Sequence, residues 1–451
     1  MAEQTKVKTL EKVVIRFSGD SGDGMQLTGT IFSNLSAVFG NEISTFPDYP
    51  AEVRAPQGTL SGVSGFQVHL GSRKIFTPGD KADVLVAMNP AALKVNVKHL
   101  KPNAIVLIDT DSFKKSDLDK ALFTTDDPFT ELGLTGVQVV AAPISTMVKD
   151  GLVEFGLDNK SALRCKNMFA LGLVCWLFER PLEEAMHMLQ NKFAKKPVIA
   201  QANIKALTDG YNYGNNIHAS VSTYRIESKK AEPGFYTDVN GNKATSYGLI
   251  AAAEKAGLQL FLGSYPITPA TDILHELSKR KDLGVITVQA EDEIAGICTS
   301  IGASFAGCLA ATSTSGPGLA LKSEAIGLAC LLYTSDAAEL PLVIIDVQRG
   351  GPSTGLPTKS EQTDLMQALY GRNGESPAVV IAASTPTDCF DAAFWAGKLA
   401  VEHMTPVILL TDAFIANGSS AWRIPEMDKY PEIKPNYVAN YQDEKVWKAY
   451  R

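Results

Sequence analysis

Apolar runs of about five residues recur along the chain, separated by glycine-bearing turns and by stretches with apolar residues three and four apart. The runs fit short buried strands, and the wider spacing fits helices with one face on a sheet. Val13–Phe17 predicts a first strand, Gly19-Asp20-Ser21-Gly22-Asp23-Gly24 a glycine-rich turn, and Leu27, Ile31, Leu35 and Val38 a helix that Gly40 ends. Further strands are expected at 83–88, 104–108 and 137–141. A helix is expected over 161–178, with Met168, Leu171, Val174 and Leu177 at helical spacing. Such alternation predicts an α/β fold with a mostly parallel sheet.

Residues 226–245 are polar, charged and glycine-bearing, as in an interdomain linker. They separate a first domain, 1–225, from a second α/β domain, 246–425. The second has strands expected at 259–263, 285–289, 309–312, 342–347, 378–382 and 406–410. From 426 to 451 the chain is rich in proline and charge and reads as a connection to an absent C-terminal domain. Cys330–Ala338 fits neither the helix before it nor the strand after it. It reads as a loop extension or, preferably, a local sequence error.

With 451 residues, 45% apolar and 20% charged, the composition is that of a globular protein of two or three domains. A net charge of −7 argues against a nucleic-acid surface. No apolar run approaches a membrane span and no apolar leader follows Met1, so a cytoplasmic location is expected. The six cysteines form no C-x-x-C and read as buried free thiols.

The candidate chemistry follows the strands of the second domain, where open α/β sheets bind ligands. Gly263-Ser264-Tyr265-Pro266-Ile267-Thr268-Pro269 ends a strand in a corner that its prolines stiffen. Glu291-Asp292-Glu293, Thr314-Ser315-Gly316-Pro317-Gly318 and Arg349-Gly350-Gly351-Pro352-Ser353-Thr354-Gly355 follow other strands. Three of them have a purely structural explanation: a βα turn for the corner, an acidic helix N-terminus for Glu291–Glu293 and a capping role for Arg349. If the strands are parallel, however, all four open onto one rim, bringing together carboxylates, hydroxyls, an arginine and a rigid corner.

These motifs, with Leu356-Pro357-Thr358 after the last and Phe46-Pro47-Asp48-Tyr49-Pro50-Ala51-Glu52-Val53-Arg54 in the first domain, resemble the 2-oxoacid:ferredoxin oxidoreductases. The match is to the fused γ–α subunit of the 2-oxoglutarate type, C-terminally truncated. The resemblance implies two Rossmann-like domains, a γ domain and a parallel-sheet domain binding the pyrimidine half of thiamine diphosphate. It also implies coenzyme A-dependent oxidative decarboxylation of 2-oxoglutarate to succinyl-CoA, with electrons passed to ferredoxin. In that family a glutamate holds the aminopyrimidine nine residues before a helix glycine, the spacing of Glu293 and Gly302. Glu293 is therefore preferred to Glu291, which is left to stabilise the helix N-terminus. Thr268, Arg349, Thr358 and Tyr265 would face the 2-oxoacid, and Arg54 its distal carboxylate. Pro266, Ile267, Thr314, Ser315 and Gly316 would line the cofactor.

Gly22-Asp23-Gly24 lacks the downstream asparagine of a Mg²⁺–diphosphate motif, and the chain lacks clustered cysteines. A β subunit is therefore expected to bring Mg²⁺, the diphosphate grip and a [4Fe-4S] cluster, in a dimer of αβ heterodimers. Pyruvate or another 2-oxoacid, a nicotinamide-dependent dehydrogenase and a non-catalytic partner subunit remain alternatives.

Overall fold

The computed structural model describes residues 7–50, 55–217, 223–228, 232–330 and 338–435. The chain forms two compact units, 1–239 with 418–424, and 240–417 with 425–451.

The first unit carries an eight-stranded sheet in the order 138–142, 100–109, 82–87, 12–20, 63–71, 42–48, 419–423, 236–240. Lys12–Asp20, Ala82–Ala87, Leu100–Asp109 and Gln138–Ala142 are parallel, as the alternating pattern requires. Val63–Gly71 instead runs antiparallel to both Lys12–Asp20 and Glu42–Asp48. The pattern missed this half because Glu42–Asp48 carries Ser44, Thr45, Pro47 and Asp48 among its apolar residues. Helix Met25–Val38 starts after Gly24 at φ 94° and stops before Gly40 at φ 90°, both left-handed positions that favour glycine. The helix expected over 161–178 is two, Asn159–Leu163 and Lys166–Leu177. The second is buried nearly all round. Helix Pro197–Ile217 lies so close that a Cβ at Gly172 would sit 2.0 Å from the Leu207 carbonyl. Residues 226–245, expected as linker, include strand Tyr236–Asn240 and the start of helix Gly241–Ala256. The Asn240 side chain caps that helix by accepting from the Lys243 N–H at 2.9 Å.

Among the described residues the second unit holds six strands, all parallel, in the order 286–289, 260–264, 309–314, 342–348, 406–412, 379–382. Ile344, Ile408 and Leu410 on one face pack with Ile297, Ile326 and Ala368 from the covering helices. After the last strand of this unit, Tyr430 stacks edge-on to Phe394 at 4.9 Å and bonds Asp391, so the described tail packs on the unit. Residues 331–337, within the anomalous segment, lie outside the described residues. Among the described residues no helix is long and apolar enough to cross a membrane. The thiols depart from expectation in part. Cys165, Cys175, Cys330 and Cys389 are buried, but Cys298 is exposed on helix Glu293–Phe305 and Cys308 is half-buried in the turn between that helix and strand Leu309–Thr314.

Candidate active site

Six parallel strands place their carboxyl ends on one edge, and the four motifs leave from Ser264, Gln289, Thr314 and Gln348. Strand Leu260–Ser264 lies between Ile286–Gln289 and Leu309–Thr314, so the direction of strand addition reverses there. The crevice at such a reversal is where open α/β sheets bind ligands.

One wall is the corner. Ser264 is buried, and its hydroxyl donates to the Ser313 carbonyl at 2.7 Å, joining the two strands at the rim. Beyond it Tyr265 and Thr268 are exposed, Pro266 and Ile267 half-buried, and Pro269 buried. The Asn242 side chain donates to the Pro269 carbonyl at 3.0 Å. The Thr268 carbonyl accepts from Arg349 Nη1 at 2.7 Å. The corner and the arginine loop are therefore physically joined.

Arg349 is only 7% exposed. Its Nη2 makes a long contact to the Thr354 carbonyl at 3.4 Å, and its Nε is buried without a partner. Burial holds the guanidinium below its ordinary range, partly offset by Glu293. Thr358 is half-buried in the same loop, which Gly350 and Leu356 close by a backbone bond of 3.0 Å.

Glu293 follows a neighbouring strand at the same rim, near enough to Arg349 to interact with its charge. It opens helix Glu293–Phe305 and is 8% exposed, whereas Glu291 is exposed. Capping falls to Asp292 rather than to Glu291, because its carboxylate accepts from the Ala295 N–H at 2.7 Å. The glycine loop closes over Glu293. A Cβ at Gly318 would lie 2.0 Å from Thr314 Oγ1 and 2.8 Å from Glu293 Cγ, so only glycine admits this approach. Thr314, Ser315 and Gly316 are buried in that loop, and Ser315 Oγ has no partner. Arg54 lies outside the described residues.

The motifs gave no warning of two further groups. Lys322 is fully buried, with Nζ donating to the Glu293 carbonyl at 2.7 Å and to Thr312 Oγ1 at 3.1 Å. Burial pushes its ammonium down to about 8. Asp346, on strand Leu342–Gln348, is fully buried and held well above the ordinary carboxylate range, first by burial and then by Asp364. For Asp346 a sequence signal exists, a lone charge inside the apolar run of its strand.

Two family models match side by side. "Pyruvate ferredoxin/flavodoxin oxidoreductase" matches residues 14–213, and "Pyruvate flavodoxin/ferredoxin oxidoreductase, thiamine diP-bdg" matches residues 251–448. A solved 2-oxoglutarate:ferredoxin oxidoreductase from Magnetococcus marinus, with 2-oxoglutarate, coenzyme A and succinyl-CoA bound, superposes with a TM-score of 0.78. It is 32% identical over 95% of this chain and 68% of its own. The chain belongs to the 2-oxoacid:ferredoxin oxidoreductase family. Within that family, the 2-oxoglutarate oxidoreductase subunit KorA of Mycobacterium tuberculosis is 53% identical over 95% of this chain. The 2-oxoglutarate synthase subunit KorA of Archaeoglobus fulgidus is 39% identical over 44% of it. The chain spans 65% of the former's length and 56% of the latter's.

The second unit thus carries the match to the family's thiamine diphosphate-binding domain. The residues on its rim fit that group. The inward carboxylate under a glycine loop suits an aminopyrimidine, and the unpartnered Ser315 hydroxyl offers a further polar contact.

Proposed function

We propose that this chain is the α subunit of a 2-oxoglutarate:ferredoxin oxidoreductase, with Glu293 and Arg349 as its catalytic and substrate-binding residues. The observation that supports this reading most is Arg349: a buried guanidinium tied to the Tyr265–Pro269 corner, with no carboxylate bonded to it among the described residues. Its Nη1 is occupied, while Nε is unpartnered and Nη2 only loosely engaged, leaving the fork edge that a substrate carboxylate matches. Thr268 and Thr358 are proposed to offer their hydroxyls to the substrate, with Tyr265 beside it. Arg54 is proposed for the distal carboxylate of a dicarboxylic substrate.

Glu293 would hold the aminopyrimidine and exchange a proton at its carboxyl oxygen, with the loop from Thr314 to Gly318 excluding water around it. Pro266, Ile267, Thr314, Ser315 and Gly316 would line the ring. When bound, thiamine diphosphate supplies the carbon nucleophile for the 2-oxo group. Arg349 orients the substrate against it and screens the negative charge that gathers beside Glu293.

The remaining machinery is assigned to a β subunit: Mg²⁺, the diphosphate grip and a [4Fe-4S] cluster passing electrons to ferredoxin, in a dimer of αβ heterodimers. Ile294, Phe305, Leu321, Leu328, Met366 and Tyr370 are exposed on the helices of this sheet face and supply apolar surface for it. The test is reconstitution. Chain plus β subunit should oxidise 2-oxoglutarate with coenzyme A and reduce ferredoxin, and neither alone should do so. Turnover of pyruvate but not 2-oxoglutarate would overturn the substrate, and no 2-oxoacid turnover the function.

A further inference from the structure

Lysine is a poor choice for a fully buried position, since its charge must be desolvated. Lys322 nevertheless sits at the junction of helices Gly316–Leu321 and Ser323–Ala329 with no exposure. Its ammonium is directed at one backbone atom of the site, the Glu293 carbonyl at 2.7 Å, with Thr312 Oγ1 on the adjoining strand at 3.1 Å. The charged or titratable groups facing it are Glu293 and Cys298 on helix Glu293–Phe305 and the helix's N-cap, Asp292. We propose that Lys322 is a positioning residue: its ammonium clamps the first turn of that helix and holds the Glu293 carboxylate in place beneath the Gly316–Gly318 loop.

Two features separate this from ordinary packing. The bond runs to the main chain of the very residue whose buried side chain packs against Gly318, so a shift of the lysine moves Glu293 directly. Gly318 also touches the Glu293 side chain, and the Lys322 N–H bonds the Gly318 carbonyl at 3.1 Å. Lysine, loop and glutamate therefore form one closed unit, in which a misplacement of about 1 Å costs on the order of 100-fold in rate. The bond to the Glu293 carbonyl is charge-assisted; above about pH 8 the lysine loses its charge, and the clamp weakens with it.

The inference rests on the assignment of Glu293, and the experiment separates the two. Wild type, Lys322→Met and Glu293→Gln are each assembled with the β subunit and loaded with thiamine diphosphate. Deuterium exchange at the cofactor's C2 position is then followed by NMR, beside the pH profile of kcat. Lys322→Met should bind the cofactor normally yet exchange about 100-fold more slowly. It should also lack the alkaline limb near pH 8 shown by wild type. Wild-type exchange, or an unchanged limb, in Lys322→Met with slow exchange in Glu293→Gln overturns the role of Lys322 alone. Wild-type exchange in Glu293→Gln overturns both. If the Met variant does not assemble, Lys322→Gln, which keeps a donor without the charge, is read on the pH profile: loss of the limb near pH 8 supports the role and an unchanged limb overturns it.

Discussion

Replacing Lys322 by methionine should change stability in a sense that reverses with pH. Burial lowers the lysine from its ordinary 10.5 to about 8. At about 1.4 kcal/mol per pH unit, holding the charged form inside the fold costs on the order of 3 kcal/mol at neutral pH. Methionine removes that cost but strands two acceptors, the Glu293 carbonyl and Thr312 Oγ1, at about 1 kcal/mol each. At pH 7 the variant should therefore be more stable by about 1 kcal/mol. Between pH 8 and 10.5 the unfolded chain keeps the lysine proton that the fold has released, so wild-type stability rises with pH. The methionine variant gains nothing from this and should be the less stable by about 2 kcal/mol near pH 10. Equilibrium unfolding at matched pH values measures the difference, in which other titrating groups cancel. A difference that stays constant from pH 7 to 10 would refute the buried-charge reasoning.

Arg349→Met should lower kcat/KM for the 2-oxoacid by ~10–100-fold, mostly through KM, if the free fork edge binds a carboxylate. Steady-state kinetics of the reconstituted complex check this. Gly318→Ala should destabilise the second unit by about 1–3 kcal/mol in thermal unfolding, because its Cβ meets Thr314 and Glu293. Asp346 is raised in the fold, so the folded chain binds the extra proton and wild type loses stability as pH rises through the range above 3.8. Asp346→Asn should abolish that dependence in pH-dependent unfolding, and an unchanged slope would assign it elsewhere.

The second unit was legible in the sequence because its central strands are buried on both faces, which makes each a bounded apolar run. Leu342–Gln348 and Pro406–Asp412 fall within two residues of expectation for this reason. Glu42–Asp48 and Ser419–Arg423 were not legible. They join the outer half of a mixed sheet, where polar residues are tolerated, and the latter pairs with a segment far earlier in the chain. At the site, motifs at strand ends marked Thr268, Glu293, Gly318 and Arg349, and parallel topology brings their loops to one rim. Lys322 escaped because its meaning depends on burial and on a bond to a backbone atom 29 positions away. No local pattern encodes that.

The central claim is that this chain supplies the pyrimidine-side half of a thiamine diphosphate site through Glu293. It is tested most directly by the turnover number of the reconstituted complex carrying Glu293→Gln, at cofactor occupancy equal to wild type. Loss of the proton-exchanging carboxylate should lower kcat for coenzyme A-dependent 2-oxoglutarate oxidation by ~10²–10⁴-fold with the complex still assembled. A wild-type kcat would contradict the account.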